Sequence, residues 1–469
     1  MARINTNISS LQAINRFRTN NADLNTRLER LSSGLKINSG KDAPAGLIGS
    51  ETLRSEIAGI RQGIDNSTRA SNVINTAEGA LGEVSSLLLQ LQSLTNEAAN
   101  TGALSQQEIE ANQLQVDSIL NSINRISNTT QFNGVKLLNG SLDYITSGVA
   151  STAIDTLQIS AAKLPDDGFQ TIAVQVTASA QLAVVSFTGA TIGTSAVTVE
   201  ISGNEGTEQF SFAANTNASA VTFAVNQLKE STGVSANING GNIDFNSTAF
   251  GSKSFVSIKT LSTAAFVNGK DFGADAQVSI NGSKASVDGL TASVRSNDLD
   301  VQLTLDKTFG TTINAAGSSF NITGGGARFQ IGSRVNRPGQ IQIGVSSVST
   351  TKLGNEIVGF LSSVGSGGAN SLVGKDTIQA QKIITEAIRQ TATLRGRLGA
   401  LQKNVLDTNV SSLNVALENV TASESAIRDA DFASETAALT RAQILVQANT
   451  SVLAQANSSP QSVLALLGR

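Results

Sequence analysis

The side chains that most often carry enzymatic chemistry are missing from this chain. It has no histidine and no cysteine, so it lacks the usual general base, a thiol nucleophile and the two commonest ligands of transition metals. A zinc protease is excluded, because its motif requires two histidines. Aspartate and glutamate remain, and a pair of carboxylates suffices to hydrolyse a glycosidic bond. That alternative stays open, because the sequence does not show which distant carboxylates meet.

Two local patterns could hold a ligand. Gly324, Gly325 and Gly326 could cradle a phosphate, but they lie between two expected strands, whereas phosphate loops present the N-terminus of a helix. We therefore predict a turn there. Acidic pairs occur at Asp166 and Asp167 and at Asp298 and Asp300. A calcium loop needs more oxygen ligands at regular spacing, so we predict no metal site, and we expect no cofactor.

Length and charge narrow the class of protein further. A chain of 469 residues can bury several cores, so we expect about two to four domains. The net charge of -3 argues against a nucleic-acid partner, which would need a basic face. No apolar run approaches the roughly 20 residues that span a bilayer, so we expect no membrane partner. The N-terminus also lacks the apolar core of a signal peptide, and export would need a route without a cleaved signal.

Proline positions and helical periodicity predict long helices in both halves of the chain. The prolines are Pro44, Pro165, Pro338 and Pro460. They leave long proline-free tracts on either side of the middle, where helices are permitted. Asp42 is predicted to cap a helix that has Pro44 in its first turn. In both tracts apolar residues recur at three-and-four spacing, which indicates amphipathic helices.

The middle of the chain has a different period. Between about residues 141 and 350 apolar residues alternate with polar ones, as at Val197, Val199 and Ile201, which predicts β-strands. One helix interrupts them, with Asn217 as its cap and Gly233 after its end. The order of elements therefore predicts a β-rich insert within a helical scaffold.

Both ends of the chain carry apolar stripes that a lone helix cannot hide from water. The N-terminal stripe consists of Ile4, Ile8, Leu11, Leu24, Leu28, Leu31 and Leu35, and the C-terminal stripe of Leu439, Ala442, Val446, Leu453, Ala456, Val463, Leu464 and Leu467. A second pair of stripes, predicted to pack two rod helices together, consists of Leu87, Leu91 and Leu94 and of Leu394, Leu398, Leu401 and Val405. An ordinary intramolecular coiled coil would also explain the terminal stripes.

Several motifs at both ends resemble bacterial flagellin. They are RLSSGLKIN at 30–38, AEGAL at 77–81, NTTQFNG at 128–134, IRDADFASE at 427–435 and ILVQANTSVLAQANSSPQSVLALL at 444–467. The resemblance covers roughly residues 1 to 140 and 350 to 469. It implies a non-enzymatic structural subunit that polymerises with its own copies into the helical flagellar filament used for motility. The terminal stripes would then be the polymerisation seam.

The resemblance also implies the fold and the surroundings of the chain. The expected class is α+β, with long terminal coiled-coil helices and a helical rod domain with a β-hairpin, carrying an inserted β-rich outer domain. The expected domains are a terminal coiled coil of 1–42 and 428–469, a rod of 43–165 and 328–427, and an outer insert of 166–327 with up to two subdomains. Type III export, an extracellular location in the flagellum, and an export chaperone, cap and junction proteins as partners follow from the resemblance.

Within the middle, FQIGSRVNRPGQIQIGV at 329–345 resembles the β-hairpin of the flagellin rod. It lies far along the chain, so we predict that the variable domain enters before it. The segment 197–258 resembles a repeat found in the outer parts of some flagellins.

A receptor surface and two alternatives complete the expectations. A surface that an animal Toll-like receptor contacts in many flagellins corresponds here to Gln90, Ser93 and Leu94. Many members have arginine and glutamate at the first two positions, and their absence argues against strong recognition. The alternatives are a hook-filament junction protein, and a filament subunit whose outer insert adds an adhesive or carbohydrate-active function.

Overall fold

The fold is known from a computed structural model that describes residues 6–165, 168–262, 266–296, 298–374 and 377–467. The chain divides into two compact units. The terminal unit comprises the described residues of 1–69, 330–340 and 404–469, and the central unit those of 70–329 and 341–403. Ile4 of the expected seam, and the acidic pair Asp166 and Asp167, lie outside the described residues.

Long helices occupy both ends of the chain. In chain order the helices are α1 Ile8–Ser33, α2 Pro44–Ala98, α3 Gln106–Thr129, α4 Ala218–Gln227, α5 Lys229–Thr232, α6 Lys307–Gly310, α7 Thr377–Leu401, α8 Asp407–Arg428 and α9 Phe432–Leu467. A five-residue π-helical segment, Gln402–Leu406, separates α7 from α8. Short 3-10 turns occur at Arg337–Gly339, Leu361–Val364 and Leu372–Gly374.

Strands fill the middle of the chain. They are β1 Gln131–Phe132, β2 Val135–Lys136, β3 Tyr144–Ser147, β4 Ile154–Ala162, β5 Gln170–Ala178, β6 Val184–Phe187, β7 Val197–Ser202, β8 Thr207–Phe212, β9 Val234–Asn239, β10 Asn242–Ser247, β11 Phe255–Thr260, β12 Gly269–Phe272, β13 Gln277–Ile280, β14 Ser283–Lys284, β15 Ser286–Asp288, β16 Thr291–Arg295, β17 Leu299–Leu305, β18 Asn314–Gly325, β19 Ala327–Gln330, β20 Gln340–Ile343, β21 Gly354–Asn355 and β22 Gly359–Phe360. Long terminal helices around a β-rich middle confirm the predicted α+β class.

In the terminal unit, α1 packs against α9. The first half of α2 packs against α8 and against the loop that joins β19 to β20. Gly59 of α2 permits this approach, because a Cβ at that position would lie 2.5 Å from the carbonyl oxygen of Ser333. Asn409 of α8 donates hydrogen bonds to Ser67 Oγ at 3.1 Å and to the carbonyl oxygen of Ile331 at 2.9 Å. Gly59 of α2 therefore leaves room for the loop, and the amide of Asn409 in α8 holds it by a hydrogen bond.

The predicted cap of α2 is wrong, although the helix does begin at Pro44. The Asp42 carboxylate turns back toward the preceding loop, where it accepts hydrogen bonds from the backbone N–H groups of Ser39 and Asn38 at 2.8 and 3.2 Å. These N–H groups hold the pKa of Asp42 below its usual range. The Asp42 carboxylate therefore binds N–H groups of the preceding loop rather than those at the start of α2.

In the central unit, α2, α3 and α7 each bury one face. The buried stripe of α2 steps by three and four residues and consists of Ile74, Ala77, Leu81, Val84, Leu88, Leu91, Thr95 and Ala98. Helix α3 begins with a capping box, in which Ser105 Oγ accepts from the N–H of Glu108 at 3.3 Å and the Glu108 carboxylate accepts from the N–H of Ser105 at 2.7 Å. The Arg395 guanidinium joins α7 to α2 through Glu78 at 2.7 and 2.9 Å.

The β-rich part contains two separate hydrophobic cores. Core 1 lies between a five-stranded sheet of order β14-β13-β5-β18-β3 and a four-stranded sheet of order β15-β16-β17-β4. Core 2 lies between a three-stranded sheet, β6-β10-β9, a four-stranded sheet, β12-β11-β7-β8, and helix α4. Each sheet buries alternate residues, as strand geometry requires, and each core is closed by its own strands.

Two local predictions for the middle are confirmed, and two need correction. Asn217 caps α4 by accepting the N–H of Ala220 at 2.8 Å, and strands β19 and β20 form the predicted hairpin. The single helix predicted between Asn217 and Gly233 is instead divided into α4 and α5, and Gly233 ends α5 in the left-handed conformation. Of the three glycines predicted to form a turn, Gly324 and Gly325 belong to β18, and Gly326 alone lies between β18 and β19.

Candidate functional site

The terminal helix pair is the candidate functional site, and α1 has defined ends. Asn7 precedes the helix, and its Oδ1 accepts a hydrogen bond from the N–H of Ser10 at 2.9 Å. At the other end Gly34 adopts φ +73°, and its N–H donates to the carbonyl oxygen of Arg30 at 2.9 Å. A capping side chain and a glycine stop therefore set the length of the helix that meets α9.

Helices α1 and α9 run antiparallel, because the start of each lies beside the end of the other. At the start of α1 the contacts are Asn7 Nδ2 to the carbonyl oxygen of Ala456 at 2.8 Å and Ser10 Oγ to Asn457 Oδ1 at 2.7 Å. At its end the contacts are a β-bridge between Leu35 and Asp429 and a hydrogen bond from the N–H of Ala430 to the carbonyl oxygen of Gly34 at 2.9 Å. The start of α1 thus lies beside residues 456 and 457 of α9.

A charged triad lies inside the pair, near the end of α1 and the start of α9. Arg27 Nη1 lies 2.9 Å from Glu435 Oε2, and Arg30 Nη1 lies 3.2 Å from Glu435 Oε1. Asp23 adds a second contact to Arg27, whose Nε lies 3.2 Å from Asp23 Oδ1. Glu435 is only 9% exposed, so both arginines are needed to offset the removal of its charge from water.

The pKa of Glu435 reflects two opposing causes. Burial alone would raise it, but hydrogen bonds from Arg27 and Arg30 favour the carboxylate, and the net pKa lies below its usual range. The pKa of Arg27 is raised, chiefly by the same hydrogen bond. Arg27 and Glu435 are therefore both charged at neutral pH. The sequence stripe omitted this triad, because charged residues are not expected at positions that face a partner helix.

The expected seam residues fall into two groups. Ala442 is buried, and the half-buried members are Leu24, Leu31, Leu35, Leu439, Val446, Leu453 and Ala456. Ile8, Leu11 and Leu28 are instead exposed on α1. Helix α9 includes Val463, Leu464 and Leu467, but their side chains are not among those that the structure describes. The apolar residues of these helices therefore occupy two faces, one toward the partner helix and one toward solvent.

The solvent-facing apolar residues form a substantial exposed surface. Their exposed fractions are 50% for Ile8, 55% for Leu11, 47% for Leu28, 61% for Phe432, 62% for Ile444, 43% for Leu445 and 55% for Val452. A soluble monomer seldom exposes so many large apolar side chains on one pair of helices without a binding role. The predicted stripe omitted Ile444, Leu445 and Val452, which lie between its members, and Phe432, which precedes its first residue.

The expected rod-packing residues occupy α2, the end of α7 and the π-helical segment. Leu91, Leu394 and Leu398 are buried, whereas the half-buried members are Leu87, Leu94, Leu401 and Val405. Leu88 is also fully buried. Beside two of the predicted residues, Leu87 and Leu94, the buried positions of α2 are therefore Leu88 and Thr95.

Other candidate sites are simpler. Gln90 and Ser93 are exposed on α2, and Leu94 is half-buried. Asp298 pairs with Lys163 at 3.3 Å, and Asp300 with Arg295 at 3.8 Å. The described residues contain no group of three or more acidic side chains arranged to hold a metal ion. In the same residues, no helix has the length and apolar character needed to cross a membrane.

A groove of about 690 Å³ opens on the terminal unit beside the hairpin loop. It is lined by Leu47, Ile48, Glu51, Thr52, Ser55, Glu56, Ser333 and Arg334. The lining combines apolar side chains with polar and charged ones.

Comparison with known proteins identifies the family. A model of the bacterial flagellin N-terminal helical region matches residues 4–143, and one of the bacterial flagellin C-terminal helical region matches residues 381–467. The chain is 30% identical to the B-type flagellin of Pseudomonas aeruginosa and 30% identical to flagellin D of Vibrio anguillarum. It is 29% identical to a flagellin of Salmonella typhimurium. Each alignment covers 99% of this chain and 99% of the relative.

These matches confirm the resemblance found in the terminal motifs, and the alignments extend it through the β-rich middle. The chain belongs to the bacterial flagellin family, the structural subunits of the flagellar filament.

Proposed function

We propose that copies of this chain polymerise through the solvent-facing apolar residues of the α1–α9 pair. The observation that carries this proposal is the exposure of large apolar side chains, such as Leu11 and Ile444, on helices that already have a partner within the chain. Burying them between subunits would supply a favourable hydrophobic term that the isolated chain lacks. The rod-packing residues would hold the helices that position this pair.

We also propose that three parts of the chain occupy different layers of the filament. Residues 1–42 and 428–469 form the inner contact layer, residues 43–165 and 328–427 the rod, and residues 166–327 the outer insert. The filament lies outside the cell, and the export chaperone, cap and junction proteins of the family act on this chain. The role is structural, as in the filament subunits of the family, with no catalytic step.

Seeded elongation tests the proposed surface. Purified chain is added to short filament fragments, and growth is followed by light scattering and electron microscopy. Full-length chain should extend the seeds, whereas chains lacking residues 1–35 or 440–469 should not. Leu11→Ser and Val452→Ser should each slow elongation about tenfold or more, because a buried side chain of this size contributes about 1.5–3 kcal/mol.

Matched controls separate the apolar surface from general damage to the helices. Gln12→Ser and Gln447→Ser change exposed polar residues on the same two helices and should leave elongation unchanged. If full-length chain remains folded but never extends seeds, the junction-protein alternative replaces polymerisation. Equal slowing by control and test variants would remove the special role of the apolar surface.

Recognition by a Toll-like receptor is proposed to be weak. Gln90 and Ser93 are exposed, so a receptor could reach them, but neither carries the charge that makes arginine and glutamate effective at protein interfaces.

A further inference from the structure

The two cores of the β-rich part are joined by two short connections. Residues 179–183 run from β5 of core 1 to β6 of core 2, and residues 273–276 run back from β12 to β13. The two connections pair with each other. The N–H of Gln181 donates to the carbonyl oxygen of Ala274 at 2.9 Å, and the N–H of Ala274 donates to that of Gln181 at 3.0 Å. Because a ribbon of only two strands is marginally stable at best, these connections alone would let core 2 move relative to core 1.

A loop of core 2 reaches core 1 beside these connections. This loop, residues 248–254, lies between β10 and β11, and we call it the clamp loop. Its Phe250 is half-buried and packs against core 1. A Cβ at Gly251 would lie 2.7 Å from the Cα of Gly289, which is in the turn between β15 and β16 of core 1. The backbone of the clamp loop is therefore in contact with a turn of core 1.

The carboxylate of Asp275 joins the clamp loop to that turn. Its Oδ1 accepts hydrogen bonds from the N–H of Ser252 at 3.0 Å and from the N–H of Gly289 at 2.8 Å. Its Oδ2 accepts the hydroxyl of Ser252 at 2.6 Å. Asp275 itself lies in the connection between β12 and β13, Ser252 in the clamp loop and Gly289 in core 1. One side chain therefore ties together three separate segments where the two cores meet.

Asp275 is the stronger of two polar links at this place. Burial raises the pKa of Asp275, but the hydrogen bonds from Ser252 and Gly289 outweigh it, and the net pKa lies below its usual range. The carboxylate is therefore ionised at neutral pH, and hydrogen bonds to an ionised acceptor are stronger than those between neutral groups. The second link is an ion pair between Lys253 and Asp288. Both of its side chains are mostly exposed, so it contributes little.

We propose that Asp275 locks core 2 to core 1, so that the two cores move as one rigid body. Two of its three donors are backbone N–H groups, so the bonds hold the backbone itself rather than a mobile side chain. Opening the lock would leave these N–H groups and the carboxylate without their partners, which opposes separation of the two segments. In a filament the lock would keep the surface of core 2 at a fixed position relative to core 1, and this consequence rests on the proposed function.

Pulsed electron paramagnetic resonance on full-length monomer measures movement between the cores. The chain has no cysteine of its own, so spin labels attach only where cysteine is introduced. Ala173→Cys on β5 and Gln209→Cys on β8 place one label on each core, at exposed positions. The width of the distance distribution between the labels reports how far one core moves against the other. The otherwise unchanged chain should give one narrow distribution.

Two substitutions open the lock by different routes. Asp275→Ala removes the acceptor, and Gly251→Ala forces the clamp loop away from the turn. Each should widen the distribution about twofold or more, because only a two-stranded ribbon would then join the cores. One matched control is Asp271→Ala, which removes a carboxylate that accepts the N–H of Val184 within core 2. The other is Gly240→Ala, at a glycine of positive φ where a Cβ would meet no described atom within 4 Å. Both controls should keep the narrow width.

Hydrogen exchange in β7 and β17 verifies that both cores remain folded in each variant. A narrow distribution in the folded Asp275→Ala and Gly251→Ala variants would overturn the proposal, and so would equal broadening by the controls. If Asp275→Ala unfolds a core, Gly251→Ala decides. These experiments use monomer and need no seeds, so a chain with locked cores that never elongates would contradict the proposed function alone.

Discussion

Core 2 and the terminal helix pair differ in how completely they bury their apolar side chains within one chain. In core 2, Ile243 and Phe245 are fully buried, and two sheets and a helix cover them. In the terminal pair, the described side chains that are buried are those of Ala13, Ala442 and Glu435. Large apolar side chains such as Leu11 and Ile444 stay exposed there. One region completes its core within the chain, and the other does not.

The difference shows where each region obtains its stability. Core 2 and core 1 gain hydrophobic free energy as soon as the chain folds, so the β-rich part can stay ordered on a single subunit. In the terminal pair the large apolar side chains are at most half-buried, which leaves less buried apolar area to offset the ordering of the chain. Its full stability is therefore expected only when neighbouring subunits cover its outer face.

The strongest test of this contrast is a pair of truncations to alanine. Phe245→Ala should lower the free energy of unfolding of core 2 by about 3–5 kcal/mol, because it opens a cavity in a closed core. Leu11→Ala should change the stability of the isolated chain by less than about 0.5 kcal/mol, because its side chain is already in water. Hydrogen exchange in β10 and in α1 measures both effects. A large loss from Leu11→Ala would mean that the chain itself covers this residue.

Sequence patterns predicted the β-rich middle more accurately than the terminal region. The cap at Asn217, the stop at Gly233 and the hairpin from β19 to β20 were all predictable, because each depends on neighbouring residues. The carboxylate of Asp42 was assigned to the wrong amides, because two sets of N–H groups lay within its reach. A local motif predicts a hydrogen bond correctly only where the side chain has a single set of partners within reach.

The faces of the terminal helices were harder to predict for a different reason. Periodicity correctly indicates that α1 is a helix, but apolar residues occur on both its inner and outer faces. Asn7 and Ser10 face α9, whereas Ile8 and Leu11 are exposed. In a protein that assembles, the most apolar stripe need not be the intramolecular one. Only the coordinates of both helices reveal which face is already occupied.

High pH offers a second way to separate the two regions. Burial raises the pKa of Tyr144 in core 1 to about 12, against about 10 for an unfolded tyrosine. The stability from the neutral phenol is complete below pH about 10 and is lost as pH rises toward about 12, a change of roughly 3 kcal/mol. The tyrosinate absorbance reports this residue alone, since the chain has one tyrosine and no tryptophan.

The terminal pair provides the control for this titration. The pKa of Glu435 is lowered, so this carboxylate stays ionised throughout the alkaline range. Exchange protection in core 1 should therefore fall over this window, while the triad contacts persist. Replacement of the phenol in Tyr144→Phe should remove the alkaline loss. An ordinary tyrosine titration in the folded chain would show that the phenol is open to water.

The finest comparison uses the same substitution in both regions, because each contains an asparagine that caps a helix. Asn217→Ala at α4 should lower the stability of core 2 by about 1 kcal/mol and leave seeded elongation unchanged. Asn7→Ala removes both the cap of α1 and the contact to Ala456. Its cost should appear mainly in assembly, as a roughly fivefold higher monomer concentration for elongation, since about 1 kcal/mol is lost from each added subunit. Equal effects of the two substitutions on the isolated chain would show that the terminal pair is already as stable as core 2 before any neighbour covers it.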